Sequence, residues 1–267
     1  LKFFKVILSP FVFVYSFIIK VRNWFFDINI FSAVKVNAKV ISVGNITGGG
    51  SGKTPTVMMI TSYLKSINKN VGVLSRGYGR SSLGYIYVSD GKNINSTVDE
   101  CGDEMYFMSE ELKVPTAVSE RRVGGTRQFI DDAKVDTIIL DDAFQHRWIH
   151  RDVDVVIFDQ NFLDKSGQIE QRLLPLGLMR EPFDSIKRAD IIIINRKFSD
   201  KIEIRDKLKK YFENKNVFIG YYQADGIYDV KTHHFFNMNE FQGQKSLVVC
   251  GVALPFSFLN ALEKNKI

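Results

Sequence analysis

The chain has 267 residues, of which 45% are apolar, so it can bury the core of one large domain or two modest ones and is not intrinsically disordered. Its two cysteines, Cys101 and Cys250, are too few for a disulfide framework or a zinc site, which makes a reducing compartment the simplest interpretation. The formal net charge is +6, but residues 1–40 carry +5 of it, and this placement argues against a nucleic-acid partner.

The first segment in chain order is an apolar run from Val6 to Ile19 that holds 14 uncharged residues. Two lysines precede it, Lys20 and Arg22 follow it, and residues 24–26 are aromatic. A spanning helix needs roughly 20 apolar residues, so we predict that residues 1–26 form a helix lying in an anionic membrane surface. A signal peptide, a single tilted span and a buried core helix are the alternatives.

A glycine-rich turn between an apolar strand and a helix predicts a phosphate-binding P-loop. Glycines let consecutive backbone amides point at phosphate oxygens, and the helix N-terminus adds a positive dipole. Lys53 is expected to bridge the outer phosphates of a nucleotide and Thr54 to hold Mg²⁺. Position 47 is Thr, where the general pattern has its first glycine. The predicted ATP-binding residues are Thr47, Gly48, Gly49, Gly50, Ser51, Gly52, Lys53 and Thr54.

Four charged site candidates follow between residues 76 and 122. Arg76 ends a predicted strand and enters a Gly-rich turn, and strand ends in such folds point at the site. Asp103 and Glu104 begin a predicted helix, where N-terminal capping alone explains acidic residues. Arg122, beside a second arginine, is either solvated or an anion ligand.

An apolar strand ends in two carboxylates, Asp141 and Asp142. Asp141 stands where P-loop proteins place an Asp beside Mg²⁺. Two adjacent carboxylates repel each other unless a cation neutralises them, so the pair favours a metal-linked role over a polar strand cap. Gln145 and His146 follow closely, which makes His146 a site candidate.

Continuous runs of Val, Ile and Leu recur with helical segments between them, which predicts an α/β fold with a mostly parallel sheet covered on both faces. The predicted strands are Lys39–Val43, Val71–Ser75, Thr137–Leu140, Val153–Phe158, Asp190–Ile194, Asn216–Gly220 and Ser246–Cys250. The predicted helices are Pro55–Ile67, Gly102–Leu112, Gly124–Asp132 and Ile202–Phe212. The polar segment Asn161–Gln171 is predicted to be a loop, and a weak domain boundary lies near residue 222.

Five motifs occur together in one order: residues 43–55, 75–79, 102–104, 141–146, and 173–177 with Arg180-Glu181-Pro182. With them the chain resembles the tetraacyldisaccharide 4′-kinases, the lipid A 4′-kinases of bacteria with an outer membrane, from its N-terminal segment to about Leu262. Thr at the first P-loop position is normal in that family. The resemblance implies a P-loop NTPase-like fold and transfer of the γ-phosphate of ATP, with Mg²⁺, to the 4′-hydroxyl of a tetraacylated glucosamine disaccharide 1-phosphate.

The family works at the cytoplasmic face of the inner membrane, attached by its N-terminal segment, and its base is the Asp of Gly-Asp-Glu, here Asp103. The predicted catalytic residues are Asp103, Lys53, Asp142 and His146, and the predicted metal ligands are Thr54 and Asp141. Further site candidates are Arg76, Glu104, Arg122, Gln145, Arg180 and Glu181.

The family pairs its Asp with a His from an Asp-His-His segment that follows the region of Cys250, and His233-His234 precedes that region. Because position 1 is Leu and no such segment follows, we expect the sequence to be a piece of a longer protein. The expected organisation is a membrane-associated helix over 1–26, a P-loop kinase core over 27–222, and a linker with the start of a smaller C-terminal α/β domain over 223–267.

Two other functions remain open at this point. One is a membrane-associated P-loop switch NTPase of the GTPase or partitioning type. Asn195 to Asp200 superficially resembles the guanine motif of GTPases, but its spacing is wrong. The other is a membrane-bound module that holds nucleotide without turnover.

Overall fold

The computed structural model describes residues 2–165, 167–199, 203–249 and 256–267. Its centre is an eight-stranded sheet in the order β3-β4-β2-β5-β1-β6-β7-β8. The strands of this sheet are β1 Lys39–Gly44, β2 Val71–Ser75, β3 Ile86–Asp90, β4 Pro115–Val118, β5 Thr137–Asp141, β6 Val153–Asp159, β7 Ile191–Asn195 and β8 Asn216–Gly220. All neighbouring strands are parallel except β3 and β4, which are antiparallel. The predicted, mostly parallel sheet is therefore confirmed.

Helices cover both faces of the sheet because its apolar strands present side chains to both. The helices are α1 Lys2–Asp27, α2 Lys53–Ser66, α3 Val98–Cys101, α4 Asp103–Leu112, α5 Arg122–Ala133, α6 Gln160–Asp164, α7 Asp206–Lys209 and α8 Phe256–Lys264. On one face Ile139 packs in a core with Val57 of α2 and Met105 of α4. On the other face Ile138 packs with Phe129 of α5.

Parallel register brings the predicted motifs to one edge of the sheet. Val43 of β1 pairs with Asp141 of β5, so the P-loop that follows β1 lies beside the carboxylates that end β5. The strand β2 is the other neighbour of β5, and Arg76 follows the end of β2 at the same edge of the sheet. In open α/β sheets this carboxyl edge, where the connections diverge, is where ligands bind.

The helix α1 spans 26 residues and packs one side on the body. Ile19 and Phe26 are buried, each 7% exposed, and the Phe26 ring meets the Trp148 ring edge-on at 4.9 Å. Phe13, in contrast, is 76% exposed. Among the described residues, no helix combines the length and the apolar content needed to cross a bilayer.

Some predicted elements were wrong. Residues 246–249 form no strand, although residues 247–249 are apolar: no strand of the described residues pairs with them, and Leu247 is 93% exposed. Cys250, the end of that predicted strand, lies outside the described residues. Of the helix predicted over 202–212, only Asp206–Lys209 is α-helical, and Ile202 also lies outside the described residues.

The predicted loop over 161–171 was also wrong, because it contains most of α6 and a 3-10 helix, Ile169–Gln171. The strands β3 and β4 and the 3-10 helices Phe183–Arg188 and Met238–Phe241 were not predicted. Residues 223–241, whose looser pattern favours short strands or a linker, contain an antiparallel hairpin of β9, Gly226–Tyr228, and β10, Phe235–Asn237.

Candidate active site

The P-loop connects β1 to α2 and has the backbone that phosphate binding requires. Gly49 and Gly52 have φ values of 108° and 94°, in the left-handed region that favours glycine. Gly52 is the N-cap of α2, and no side chain caps this helix end. The first amides of α2 are therefore available to an anion, where the helix dipole favours negative charge.

Side chains from two strand ends brace the loop. Asn45, just after β1, donates through Nδ2 to Ser51 Oγ at 2.9 Å. Asn195, at the end of β7, donates through Nδ2 to the Ser51 carbonyl at 3.1 Å and to the Tyr222 hydroxyl at 2.9 Å. The loop is thus held in one shape before any ligand binds.

Asp141 is a buried carboxylate, 3% exposed, at the end of β5. Ser75 Oγ donates to its Oδ2 at 2.9 Å, whereas Oδ1 is buried without a hydrogen-bond partner. Arg122, 4% exposed, donates to the Asp141 carbonyl at 2.7 Å. Burial, followed by the charge of Asp142, raises the pKa of Asp141 despite the bond from Ser75.

The Asp142 carboxylate faces two cationic side chains, which come from different segments of the chain. Arg180 Nη1 donates to both of its carboxylate oxygens, at 3.0 and 2.9 Å, and Lys53 Nζ lies 3.7 Å from Oδ1. Burial opposes ionisation, but Lys53 and then Arg180 outweigh it and hold the pKa of Asp142 below its usual value. Asp142 has a positive φ of 47°, which is uncommon for a residue other than glycine.

The residues at this edge fit Mg²⁺. Asp141, whose Oδ1 has no hydrogen-bond partner, and Thr54 both line one cleft, and hard oxygen donors are what Mg²⁺ prefers. Mg²⁺ in kinases is usually held by one or two carboxylates together with substrate phosphates, so a larger protein cage is not required.

The cleft at this edge has a volume of about 1430 Å³. Six basic and four acidic side chains line it, which favours an anionic occupant. Of the predicted site residues, the following line it: Gly49, Gly50, Ser51, Gly52, Lys53, Thr54, Arg76, Glu104, Arg122, Asp141, Asp142, Gln145, His146 and Arg180.

The surroundings in the cleft shift the pKa values of two side chains, Glu104 and His146, and both shifts favour the neutral form. Burial raises the pKa of Glu104, and the neighbouring Asp141 raises it further. Burial, with Arg122 and Arg151, lowers the pKa of His146 to about 4, so its imidazole is neutral near pH 7. His146 Nε2 is buried without a partner, which leaves it free for a ligand.

Four predicted residues lie outside the cleft lining. Asp103 is exposed at the start of α4, and its Oδ1 accepts from the Glu104 amide at 2.8 Å. Gly48 donates its amide to the Leu178 carbonyl at 2.7 Å, and Thr47 is buried, so both frame the loop. Glu181 is fully buried beneath the cleft and forms salt bridges with two arginines.

Several residues in or beside the cleft were not predicted as site residues. Asn195 braces the P-loop without being part of the cleft lining, and it ends an apolar strand, so the strand-end rule that selected Arg76 also applies to it. Tyr222 and Phe198, whose rings meet edge-on at 5.6 Å, stand beside the P-loop and carry no sequence signal. Tyr15 and Arg22 reach the cleft from α1, and only the packing of that helix reveals them.

The family model for tetraacyldisaccharide-1-P 4′-kinase matches residues 4–267. The chain belongs to this family. It is 38% identical over 268 residues to the tetraacyldisaccharide 4′-kinase of Halothermothrix orenii, covering 94% of this chain and 68% of that protein. It is 40% identical over 188 residues to the enzyme of Aquifex aeolicus, covering 70% of this chain and 57% of that protein.

A solved structure has the same fold. The "apo" form of LpxK from Aquifex aeolicus in complex with ATP superimposes with a TM-score of 0.72 at 36% identity, over 81% of this chain and 64% of that chain. The chain therefore spans 57% to 68% of the length of these relatives. The predicted family, its kinase class and the P-loop NTPase-like fold are confirmed. An acylated disaccharide is a lipid, so the substrate class of the family is a lipid.

Proposed function

We propose that this chain transfers the γ-phosphate of ATP to the 4′-hydroxyl of a tetraacyldisaccharide 1-phosphate, a step of lipid A synthesis. The observation that carries the proposal is the convergence of the P-loop, Lys53 and the Asp141–Asp142 pair in one cleft. Family membership then selects the acceptor. The geometry alone supports nucleotide phosphate chemistry, and the family's name supplies the lipid.

The residues of the cleft provide charge stabilisation, which is the largest contribution in phosphoryl transfer. Lys53 and the amides at the start of α2 hold the outer phosphates. Asp142, held by Arg180, keeps Lys53 near them. Bound Mg²⁺, on Thr54 and Asp141, would neutralise charge that builds up on the phosphate oxygens.

A carboxylate accepts the proton of the sugar hydroxyl. As the hydroxyl oxygen bonds to the γ-phosphorus, the bond from that phosphorus to the β–γ bridging oxygen breaks and ADP leaves. A sugar hydroxyl is a poor nucleophile, so a positioned base accelerates this step. The family motif assigns the base to Asp103, with Glu104 beside it in the cleft.

The N-terminal helix supports a membrane location. The outward side of α1 carries exposed Phe11, Phe13 and Phe17 next to basic residues, which suits an anionic membrane surface. We place the protein at the cytoplasmic face of the bacterial inner membrane, where the acyl chains of the substrate stay in the bilayer. In this proposal residues 1–26 are the membrane-associated helix, residues 27–222 the kinase core, and residues 223–267 a linker with the start of a smaller C-terminal domain.

The test is transfer of labelled γ-phosphate from ATP to the acylated disaccharide by the full chain. Lys53→Ala and Asp141→Ala should each lower kcat/KM by about 10³-fold or more, because both remove charge stabilisation from the transition state. Circular dichroism should show that both variants remain folded. If either variant transfers phosphate as fast as the wild type, the assignment of Lys53 and Asp141 to the phosphate site is refuted. Hydrolysis of GTP in preference to ATP, without transfer to lipid, would favour a switch NTPase.

A further inference from the structure

The helix α1 is fastened to the body directly beside the phosphate site. Tyr15 Oη donates to the Arg180 carbonyl at 2.9 Å. Near the end of the helix, Arg147 donates to the Asn23 carbonyl at 3.0 Å and to Asp27 Oδ1 at 2.8 Å. The segments that hold Arg180 and Arg147 also carry groups of the cleft, so the helix contacts the site from two sides.

Glu181 is the centre of these contacts. Its carboxylate is 0% exposed, and both oxygens are used. Oε1 accepts from Arg22 of α1 at 2.9 Å, while Oε2 accepts from Asn23 of α1 at 3.3 Å and from Arg188 at 2.8 Å. A buried carboxylate between two guanidinium groups fixes the position of the backbone that carries it.

That backbone also carries Arg180. The Arg180 amide donates to the Ile46 carbonyl at 2.7 Å, at the entrance of the P-loop. The Arg180 side chain holds Asp142, which faces Lys53. Arg188 lies over the Phe144 ring at 4.4 Å, so the Glu181 cluster also supports the segment just after Asp142. A continuous set of contacts thus runs from α1 to the phosphate-binding lysine.

We propose that Glu181 is a positioning residue that ties α1 to the Arg180–Asp142 pair, so that the N-terminal helix supports the phosphate site as well as binding lipid. This inference rests on the proposed function, because it assigns Asp142 and Lys53 to phosphate chemistry. A buried ion pair is a weak source of net stability, and apolar residues often replace it without loss. Its value here lies in geometry, since small displacements of charged groups cost catalysis heavily.

The test is a double-mutant cycle of Glu181→Gln and Arg180→Gln in the full chain. Two quantities are measured: kcat for lipid phosphorylation, and the Kd of MgATP in lipid-free buffer. Since Glu181 is buried, its substitution does not remove a contact to either substrate. Glu181→Gln should lower kcat by about 10-fold to 100-fold and should raise the Kd of MgATP. In the Arg180→Gln background, it should change both quantities clearly less than it does in the wild type, because the route through the Arg180 side chain to Asp142 is already lost.

Ile186→Val is the control for a general loss of stability. Ile186 is fully buried in the same 3-10 helix as Arg188 and carries no charge. It should lower the melting temperature and leave kcat and the MgATP Kd near wild type in both backgrounds. If Glu181→Gln does not fold, Arg22→Met replaces it in the cycle, because it leaves Glu181 paired with Arg188. The Kd in lipid-free buffer then excludes an effect through lipid binding.

Additive losses in the cycle, or a Glu181→Gln variant with wild-type kcat and MgATP affinity, would overturn the inference. Such a result leaves the proposed function standing as long as the wild type phosphorylates the lipid. A wild type that binds MgATP and transfers no phosphate refutes the proposed function instead. In that case the MgATP measurements still decide whether Glu181 supports the phosphate site.

Discussion

Adjacent carboxylates at the start of α4 differ in their surroundings. Asp103 is the first residue of α4 and accepts a hydrogen bond from the adjacent Glu104 amide, whereas the N-cap is Gly102 and no side chain caps this helix end. Both carboxylates are exposed, but only Glu104 lines the cleft, where partial burial and then Asp141 raise its pKa. The family motif assigns the role of general base to Asp103, so the two residues need to be separated by experiment.

Asp103→Asn and Glu104→Gln form a matched pair of nearly isosteric variants. With Asp103 as base, Asp103→Asn should lower kcat by about 10² to 10⁴, the usual contribution of general base catalysis. The melting temperature and the MgATP affinity should stay near wild type, because Asn is nearly isosteric with Asp and its side-chain oxygen can still accept from the Glu104 amide. Glu104→Gln should have a smaller effect on kcat. The reverse order of the two losses would make Glu104 the base and Asp103 a structural residue at the start of α4.

Residues at strand ends could be predicted, whereas residues that act through long-range packing could not. Lys53, Asp141 and Arg76 each follow an apolar strand, and parallel strands bring their carboxyl ends together. Glu181 was named from its motif, but its partner Arg22 is 159 residues away in sequence. No local pattern encodes such a contact.

At the scale of elements, the conformation of the turn before α2 requires glycine at position 52 and does not require it at position 50. A Cβ at Gly52 would lie 2.2 Å from Asn195 Nδ2, and φ there is 94°. A Cβ at Gly50 meets nothing within 4 Å, and Gly50 is not among the positive-φ residues. An alanine substitution is therefore expected to destabilise the protein at Gly52 and to be tolerated at Gly50.

Gly52→Ala should destabilise the protein by about 2 kcal/mol or more, since it adds left-handed backbone strain and displaces the Asn195 amide. The Kd of MgATP should rise as well, because Asn195 braces Ser51. Gly50→Ala should keep the unfolding free energy within about 0.5 kcal/mol of wild type. Urea denaturation of the three proteins measures this directly. Equal stability of both variants would mean that the loop is not held in this shape.

The predicted strands include β8 at the edge of the sheet, and the missed strands include β4, which is paired on both sides, so position in the sheet does not separate the two groups. β1, β5 and β6 are central and nearly continuous in Val and Ile, so composition alone identifies them. β4 is four residues long and begins with Pro, which weakens the local signal. Residues 246–249 have the composition of a strand but no partner among the described residues. Composition therefore identifies the longer strands that are rich in Val and Ile, but it does not encode whether an apolar run such as residues 247–249 finds a partner strand.

For the whole molecule, α1 has two faces with different tasks. Ile19 and Phe26 are buried against the body, and Arg22 pairs with Glu181. Removing residues 1–26 would therefore disturb the body together with any membrane contact. Substitutions on the exposed face separate the two effects, and Phe13 and Phe17, 76% and 62% exposed, offer the best positions.

Phe13→Glu/Phe17→Glu should weaken binding to anionic vesicles by about tenfold or more, because each buried aromatic side chain contributes about 1.5–3 kcal/mol and each Glu adds repulsion from the surface. The melting temperature and the lipid-free MgATP affinity should remain near wild type, since neither ring is part of the core. Leu83→Glu, at a position 87% exposed in a loop of the body, is the matched control and should keep wild-type vesicle binding. Co-sedimentation with phosphatidylglycerol vesicles measures the difference. If the double variant co-sediments as the wild type does, α1 is a helix of the body and the membrane contact lies elsewhere.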